Sequence, residues 1–262
     1  MKIYLKLALW VILCINQPIL AQSVEKINEQ AKEIVSNINL MSPGRPKTVP
    51  IDWDKVTITH QFHDINIRSY METGILNIHQ IKMASPGSGY YPESRLNLEL
   101  NLADLESGFG GDKHIENLLL PKYAFMMAEN GVNSAAIQLP DEGSYGSIIM
   151  VLNDDVKQRA TYTTGDYLGD HETNIKNVRG RFNEAEGILP LADTSKHPNY
   201  EVQIWGHLSF HDAKEFLVTD DTPLSVIDEL KEVGLPIYKI SADLKQTSNY
   251  ATLDKTIIFE GD

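Results

Sequence analysis

Apolar and polar residues alternate with period two through most of this chain and give way to helical spacing at a few places. Val24, Ile27, Ala31, Ile34, Val35 and Ile38 recur at three and four, which predicts one amphipathic helix ending before the Pro43-Gly44 breaker. Leu224, Ile227, Leu230 and Val233 repeat that spacing after the start signal Asp221-Thr222-Pro223. Between them the pattern is strand-like. DKVTITHQFHD alternates Val56, Ile58, His60 and Phe62, and Ile65-Asn66-Ile67 runs into Arg68 and SYMETGILNIHQI, with Gly74 as a turn. YGSIIMVLNDD at 145 to 155 and RATYTTGDY at 159 to 167 predict two more strands, and TIIFEGD a last one. In NYEVQIWGHLSF at 199 to 210, Glu201 heads the apolar run Val202, Ile204, Trp205, which alternates with Gln203. LPKYAFMMAE, closed by Asn130-Gly131, is the best short helix candidate of the first half. Residues 168 to 198 form a long polar connection without a clear period, which in a compact domain marks a functional loop.

Three prolines and a glycine in SPGRPKTVP, residues 42 to 50, make that stretch a linker. The chain thus divides into residues 1 to 22, a helix and linker over 23 to 50, and a main domain over 51 to 262. The first segment carries Lys2 and Lys6, the short apolar run LALWVILCI and the small residue Ala21, the pattern of a secretory signal peptide. Its apolar run is shorter than the roughly 20 residues of a spanning helix, so an uncleaved anchor is the weaker alternative. The expectation is a secreted or periplasmic protein with no stable membrane insertion after signal cleavage.

Composition narrows the chemistry. Cys14, the only cysteine, falls in the signal segment, so the mature chain has neither disulfides, thiolate metal sites nor a cysteine nucleophile. A formal charge of −13 with no Lys/Arg-rich run argues against nucleic acid as a partner. His60 with His63, and His207 with His211, have spacings that would suit zinc on a helix, but the first pair sits in an alternating strand pattern that points the two rings to opposite faces; no metal is expected. No G-x-S-x-G, G-x-G-x-x-G or Walker loop occurs, and the GFGG run at 108 to 111 lacks the strand and helix that would make it a phosphate loop. What stands out is Glu201, an acid at the head of a strand, where the strand behind it holds the carboxylate in place.

Four windows, HQFHDINIRSYMETG at 60 to 74, LPKYAF at 120 to 125, YGSIIMVLNDDVKQRATYTTGDY at 145 to 167 and YEVQIWGHLSF with its DAKEFLV continuation, resemble in their order and spacing a bacterial family of uncharacterised domains related to the ADP-ribosyltransferase superfamily. The likeness covers roughly 55 to 220. It implies an α+β fold with a split, mostly antiparallel β core and flanking helices. In the arginine-serine-glutamate class of that superfamily an arginine lies on an early strand, a small hydroxyl motif on a middle strand and a catalytic glutamate at the start of a late strand. The matching positions are Arg68, followed by Ser69, then Thr163 with Thr164, then Glu201 in E-V-Q-I.

The residue types suit the chemistry that the resemblance implies. An arginine fork grips the pyrophosphate of NAD, the substrate-cofactor, in a way lysine cannot. Breaking the nicotinamide-ribose bond builds oxocarbenium character, which a fixed carboxylate stabilises while accepting a ribose hydroxyl. Thr163 and Thr164 would orient Glu201, and Tyr123 or Tyr162 would stack on nicotinamide. The chain departs from the family at Asn199, where arginine-modifying members carry glutamate and many others glutamine. His63 is the alternative to Arg68, by analogy with the superfamily's other class. The implied activity is that of an exported mono-ADP-ribosyltransferase, a toxin or effector acting on a protein of another organism. Simple NAD hydrolysis, and a non-catalytic envelope binding module, are the alternatives.

Overall fold

The computed structural model describes residues 23–38, 48–63, 67–77, 80, 96–97, 99–101, 103, 105–106, 109, 113–129, 146–164, 179–182, 187–190, 200–240 and 253–261. The signal segment with Cys14, and Asn199, lie outside them; the stretch 168–198, read from sequence as one polar loop, is not loop throughout, because its described residues include two short strands, Arg179–Arg181 and Ile188–Pro190.

Among the described residues nine strands form one large sheet. In chain order they are β2 (Val56–Phe62), β3 (Lys122–Ala128), β4 (Ile148–Leu152), β5 (Ala160–Thr164), β6 (Arg179–Arg181), β8 (Tyr200–Ile204), β9 (Ala213–Val218), β10 (Ile237–Ile240) and β11 (Lys255–Phe259). Their spatial order is β11-β10-β9-β4-β2-β3-β8-β5-β6. Among the described strands only β9 and β10 run parallel, a pairing that needs the crossover which the intervening helix supplies; all other neighbours are antiparallel. β1 (Thr48–Pro50) pairs with β7 (Ile188–Pro190) in a separate ribbon, which ties the end of the proline-rich linker to the domain. The helices among the described residues include α1 over 23–37, α2 (Ile67–Thr73), α3 (Lys113–Leu119) and α4 (Leu224–Lys231). The fold is α+β on a mostly antiparallel sheet, as the sequence predicts.

Period two decides what each strand shows to either side. Val56, Ile58, Phe62, Ala124, Met126, Ile148, Met150, Val202, Ile204, Phe216 and Val218 turn to one face and make the main core with Val226, Ile227 and Leu230 of α4 and Ile67 of α2. The other face has two halves. Toward β10 it is apolar, with Phe125, Met127, Ile149, Val151, Leu217 and Ile240. Toward β6 it is polar.

Two elements differ from the sequence reading. LPKYAFMMAE is not a helix but strand β3, because a strand buried on both faces is apolar throughout and its period cannot be told from that of a short buried helix. The stretch around Arg68 is not a strand but helix α2, whose buried Ile67 and half-buried Tyr70 stand one turn apart against the core. Gly74 does turn the chain, with φ +74°, and an added Cβ would lie 2.6 Å from Leu208 O.

α1 keeps its predicted stripe. Ile27, Ala31, Val35 and the following Ile38 enclose the ring of Trp205, with Leu119 and Ala103. Asn28 Oδ1 accepts from the His207 amide at 2.9 Å. Gly206 makes the approach possible: its φ is +80°, and a Cβ there would stand 2.8 Å from Ala31 Cβ.

Candidate active site

Antiparallel register brings the polar residues into two rows that cross the strands. In the first row Thr163 of β5 faces Glu201 of β8, Glu201 faces Phe125 of β3, and Phe125 faces Thr59 of β2. In the second, Thr161 faces Gln203 and Gln203 faces Tyr123, with Gln61 level with Tyr123 on β2 by the same register. Strands stand about 4.8 Å apart, so Thr59 and Glu201 are roughly 10 Å from each other across β3.

Glu201 is half-buried and its carboxylate is held from within its own strand. Gln203, two residues on and therefore on the same face, donates from Nε2 to Glu201 Oε1 at 2.9 Å and to Thr163 Oγ1 at 3.1 Å. Thr161 Oγ1 donates to Gln203 Oε1 at 3.1 Å and accepts from Trp205 Nε1 at 3.2 Å. Thr161, Thr163 and Gln203 are fully buried, where an unmade hydrogen bond costs about 1–3 kcal/mol, so each member is held to its partner. Tyr123 is half-buried beside Gln203, and its hydroxyl donates to Glu99 Oε1 at 2.9 Å. Glu99 itself is fully buried.

On β2, the buried Thr59 Oγ1 and both amide atoms of Gln61 have no hydrogen-bond partner among the described residues. Buried amides are nearly always bonded, and an amide that lacks both a donor and an acceptor at its ends is suited to a ligand supplying both.

Behind the site, a buried cationic knot fixes the turn after β8. Arg159 donates from Nη1 to Trp205 O at 2.9 Å and from Nη2 to Asp212 Oδ1 at 2.7 Å, while its own carbonyl accepts from the Trp205 amide. Lys122 donates to Leu118 O, Leu120 O and Gly206 O, and burial, then the nearby Arg159 charge, lowers its ammonium to a pKa of about 7. These groups are bonded to backbone and side-chain partners and anchor the turn.

The structure brings together three of the residues singled out from sequence: Glu201, Thr163 and Tyr123. It separates the others. Tyr162 and Thr164 alternate with Thr163 on β5 and turn to the opposite face; Tyr162 packs at 5.4 Å from Trp53 and 5.6 Å from Phe182 and is a core residue. Arg68 and Ser69 are exposed on α2, which packs on the core side of the sheet, and Arg68 Nε donates to Glu229 Oε1 of α4 at 3.0 Å. His63 follows β2 and is exposed. His60 turns into the core side: its Nδ1–H donates to Tyr123 O at 2.8 Å, and burial lowers its pKa to about 4. Gln203, Thr161, Thr59 and Gln61 are the functional candidates that sequence reasoning passed over. For Gln203 the signal was there, since a residue two from Glu201 on a strand shares its face. For the β2 pair it was absent, because only register shows which strand lies beside which. Among the described residues no group of three or more His, Cys, Asp or Glu side chains is placed to hold a metal.

No protein-family model matches the chain, and no curated protein matches it. Among solved structures it is similar to Thermosipho africanus DarTG in complex with ADP-ribose, at 14% identity and a TM-score of 0.39, over 69% of this chain and 49% of that one. The chain therefore spans about half the length of that match. At such identity and score the likeness carries no functional weight, and the site stands on its geometry.

Proposed function

We propose that the protein cleaves the nicotinamide-ribose bond of NAD at the polar half-face and transfers ADP-ribose to a side chain of a target protein, as an exported mono-ADP-ribosyltransferase. The observation that carries the reading is Glu201: a half-buried carboxylate, fixed by the Gln203 amide at 2.9 Å, opposite Thr163 and set between strands whose other face is solid core.

In that reaction the C1′–N bond breaks with its electron pair leaving on nicotinamide, and positive charge develops on the ribose. The Glu201 carboxylate, oriented by Gln203, stabilises that charge and accepts a ribose hydroxyl. The acceptor side chain then attacks C1′ and loses its proton. The Tyr123 ring, two strands' width from Thr161, gives a flat surface beside the carboxylate for nicotinamide. Arg68 is placed away from this face and is engaged by Glu229. Export, on this reading, follows from the charged start, short apolar run and Ala21 of the first 22 residues.

The test is NAD consumption by the chain from residue 23 onward, with and without a protein lysate of another organism. Nicotinamide release together with ADP-ribose bound to a lysate protein is the expected result. Release without attachment makes the protein an NAD glycohydrolase. Absence of both, in folded protein, overturns the catalytic reading and leaves a binding module.

A further inference from the structure

Glu201 is met from behind by a hydrogen-bond chain whose direction is set at its two ends, a donor-only indole at one and an accepting carboxylate at the other. An indole nitrogen donates and cannot accept, so Trp205 Nε1–H, 3.2 Å from Thr161 Oγ1, uses that hydroxyl as its acceptor. The single hydroxyl hydrogen of Thr161 is then left for Gln203 Oε1 at 3.1 Å. With its oxygen so engaged, the Gln203 amide turns Nε2 outward, one hydrogen to Glu201 Oε1 at 2.9 Å and one to Thr163 Oγ1 at 3.1 Å. A flipped amide would put oxygen against the carboxylate and drive it off.

The starting point of the chain is held on two sides. The indole of Trp205 is enclosed by Ile27, Ala31 and Val35 of α1, and its backbone is bonded through both N and O to Arg159. Trp205, Thr161, Thr163 and Gln203 are all fully buried, so water cannot stand in for a missing member.

We infer that Trp205, Thr161 and Gln203 are positioning residues, which together set the orientation of the Glu201 carboxylate. This rests on Glu201 being the catalytic carboxylate proposed above.

Gln203→Glu tests it by giving the chain a proton it can lose. While the introduced carboxyl keeps its proton it donates to Glu201 as the amide does; once that proton leaves, two carboxylates oppose each other. Paired carboxyls titrate as a unit, with the last proton held to raised pH. Turnover should therefore approach the parent rate at low pH and fall about tenfold relative to it as pH rises from about 5 to about 9, with KM for NAD changed less than about twofold. Trp205→Phe, which keeps the ring packing, should lower kcat about fivefold at unchanged KM, because the Thr161 hydroxyl is then free to rotate away from Gln203.

A readout without activity accompanies this. In labelled protein the Trp205 indole N–H resonance, identified by its absence from Trp205→Phe, should shift with pH in Gln203→Glu over the window in which turnover falls and stay still in the parent. A pH profile of Gln203→Glu parallel to the parent's, or an indole resonance that does not move, overturns the inference. A moving resonance in a protein whose parent consumes no NAD upholds the chain and overturns the catalytic role of Glu201.

Discussion

The two faces of the β5–β8 pair share the same backbone ladder and nearly the same burial, yet they are held by different means. On one face Tyr162, Tyr200 and Val202 sit among Trp53 and Phe182, ring against ring at 5.4 to 6.3 Å, with shape as the main constraint. On the other, Thr161, Thr163, Gln203 and Glu201 are joined donor to acceptor, and identity matters more than volume. Packing resists displacement in every direction but does not choose an oxygen or a nitrogen; a hydrogen-bond chain does choose, provided its strands do not shift. The solid face thus gives the polar face the rigidity that an oriented carboxylate needs.

Substitutions that act on one face and not on the other sharpen this contrast. The largest effect is expected from Tyr162→Ala, which empties a fully buried aromatic position and should cost about 3–5 kcal/mol in denaturant unfolding, while turnover per folded molecule stays near the parent value. A matching loss of turnover in the folded fraction would show that the faces do not act separately. Thr163→Val keeps the shape but removes the acceptor for a buried Gln203 N–H; it should cost about 1–3 kcal/mol and also lower turnover, where a purely structural threonine would do only the former.

A pH effect belongs to the core side. His60 has its folded pKa depressed to about 4 from the ordinary 6.5, by burial. Between those values the unfolded chain binds the proton and the folded chain does not, so stability is present above about pH 6.5 and is lost as pH falls toward 4. Melting temperature followed over that range should fall less steeply in His60→Leu than in the parent. The smallest effect is expected at Arg68. Its side chain is 79% exposed, and an exposed ion pair such as that with Glu229 contributes no more than about 1 kcal/mol. Arg68→Ala should melt within a few degrees of the parent and keep the same NAD-induced rise in melting temperature; loss of that rise would return a phosphate-binding role to this position.

What could be read from the sequence follows the same division. β5, β8 and α4 were legible from their alternation of polar and apolar positions, and β4, apolar on both faces, from Gly146 before it and Asn153-Asp154 after it. β3 was not, since Ala124 and Met126 enter one core while Phe125 and Met127 enter another and no polar position marks the alternation. Arg68 was misplaced on a strand because IRSYMET has only one turn of apolar spacing before Gly74. Glu201 and Thr163 could be found from residue type and order. The separation of Thr163 from Tyr162 and Thr164 needed only period two. Gln61 and Thr59 could not be placed beside Glu201 by any local pattern, because β2 reaches β8 only through β3, some sixty residues further along the chain.

The central claim is that the Glu201 carboxylate carries the chemistry, and its most direct test is NAD turnover by Glu201→Gln. Glutamine keeps the shape of the side chain and removes its charge. The account predicts a fall in kcat of about 10² or more, with an unchanged fold and with NAD at ten times its Kd still adding about 1.4 kcal/mol of stability. A folded Glu201→Gln protein that turns over NAD at the parent rate would contradict it.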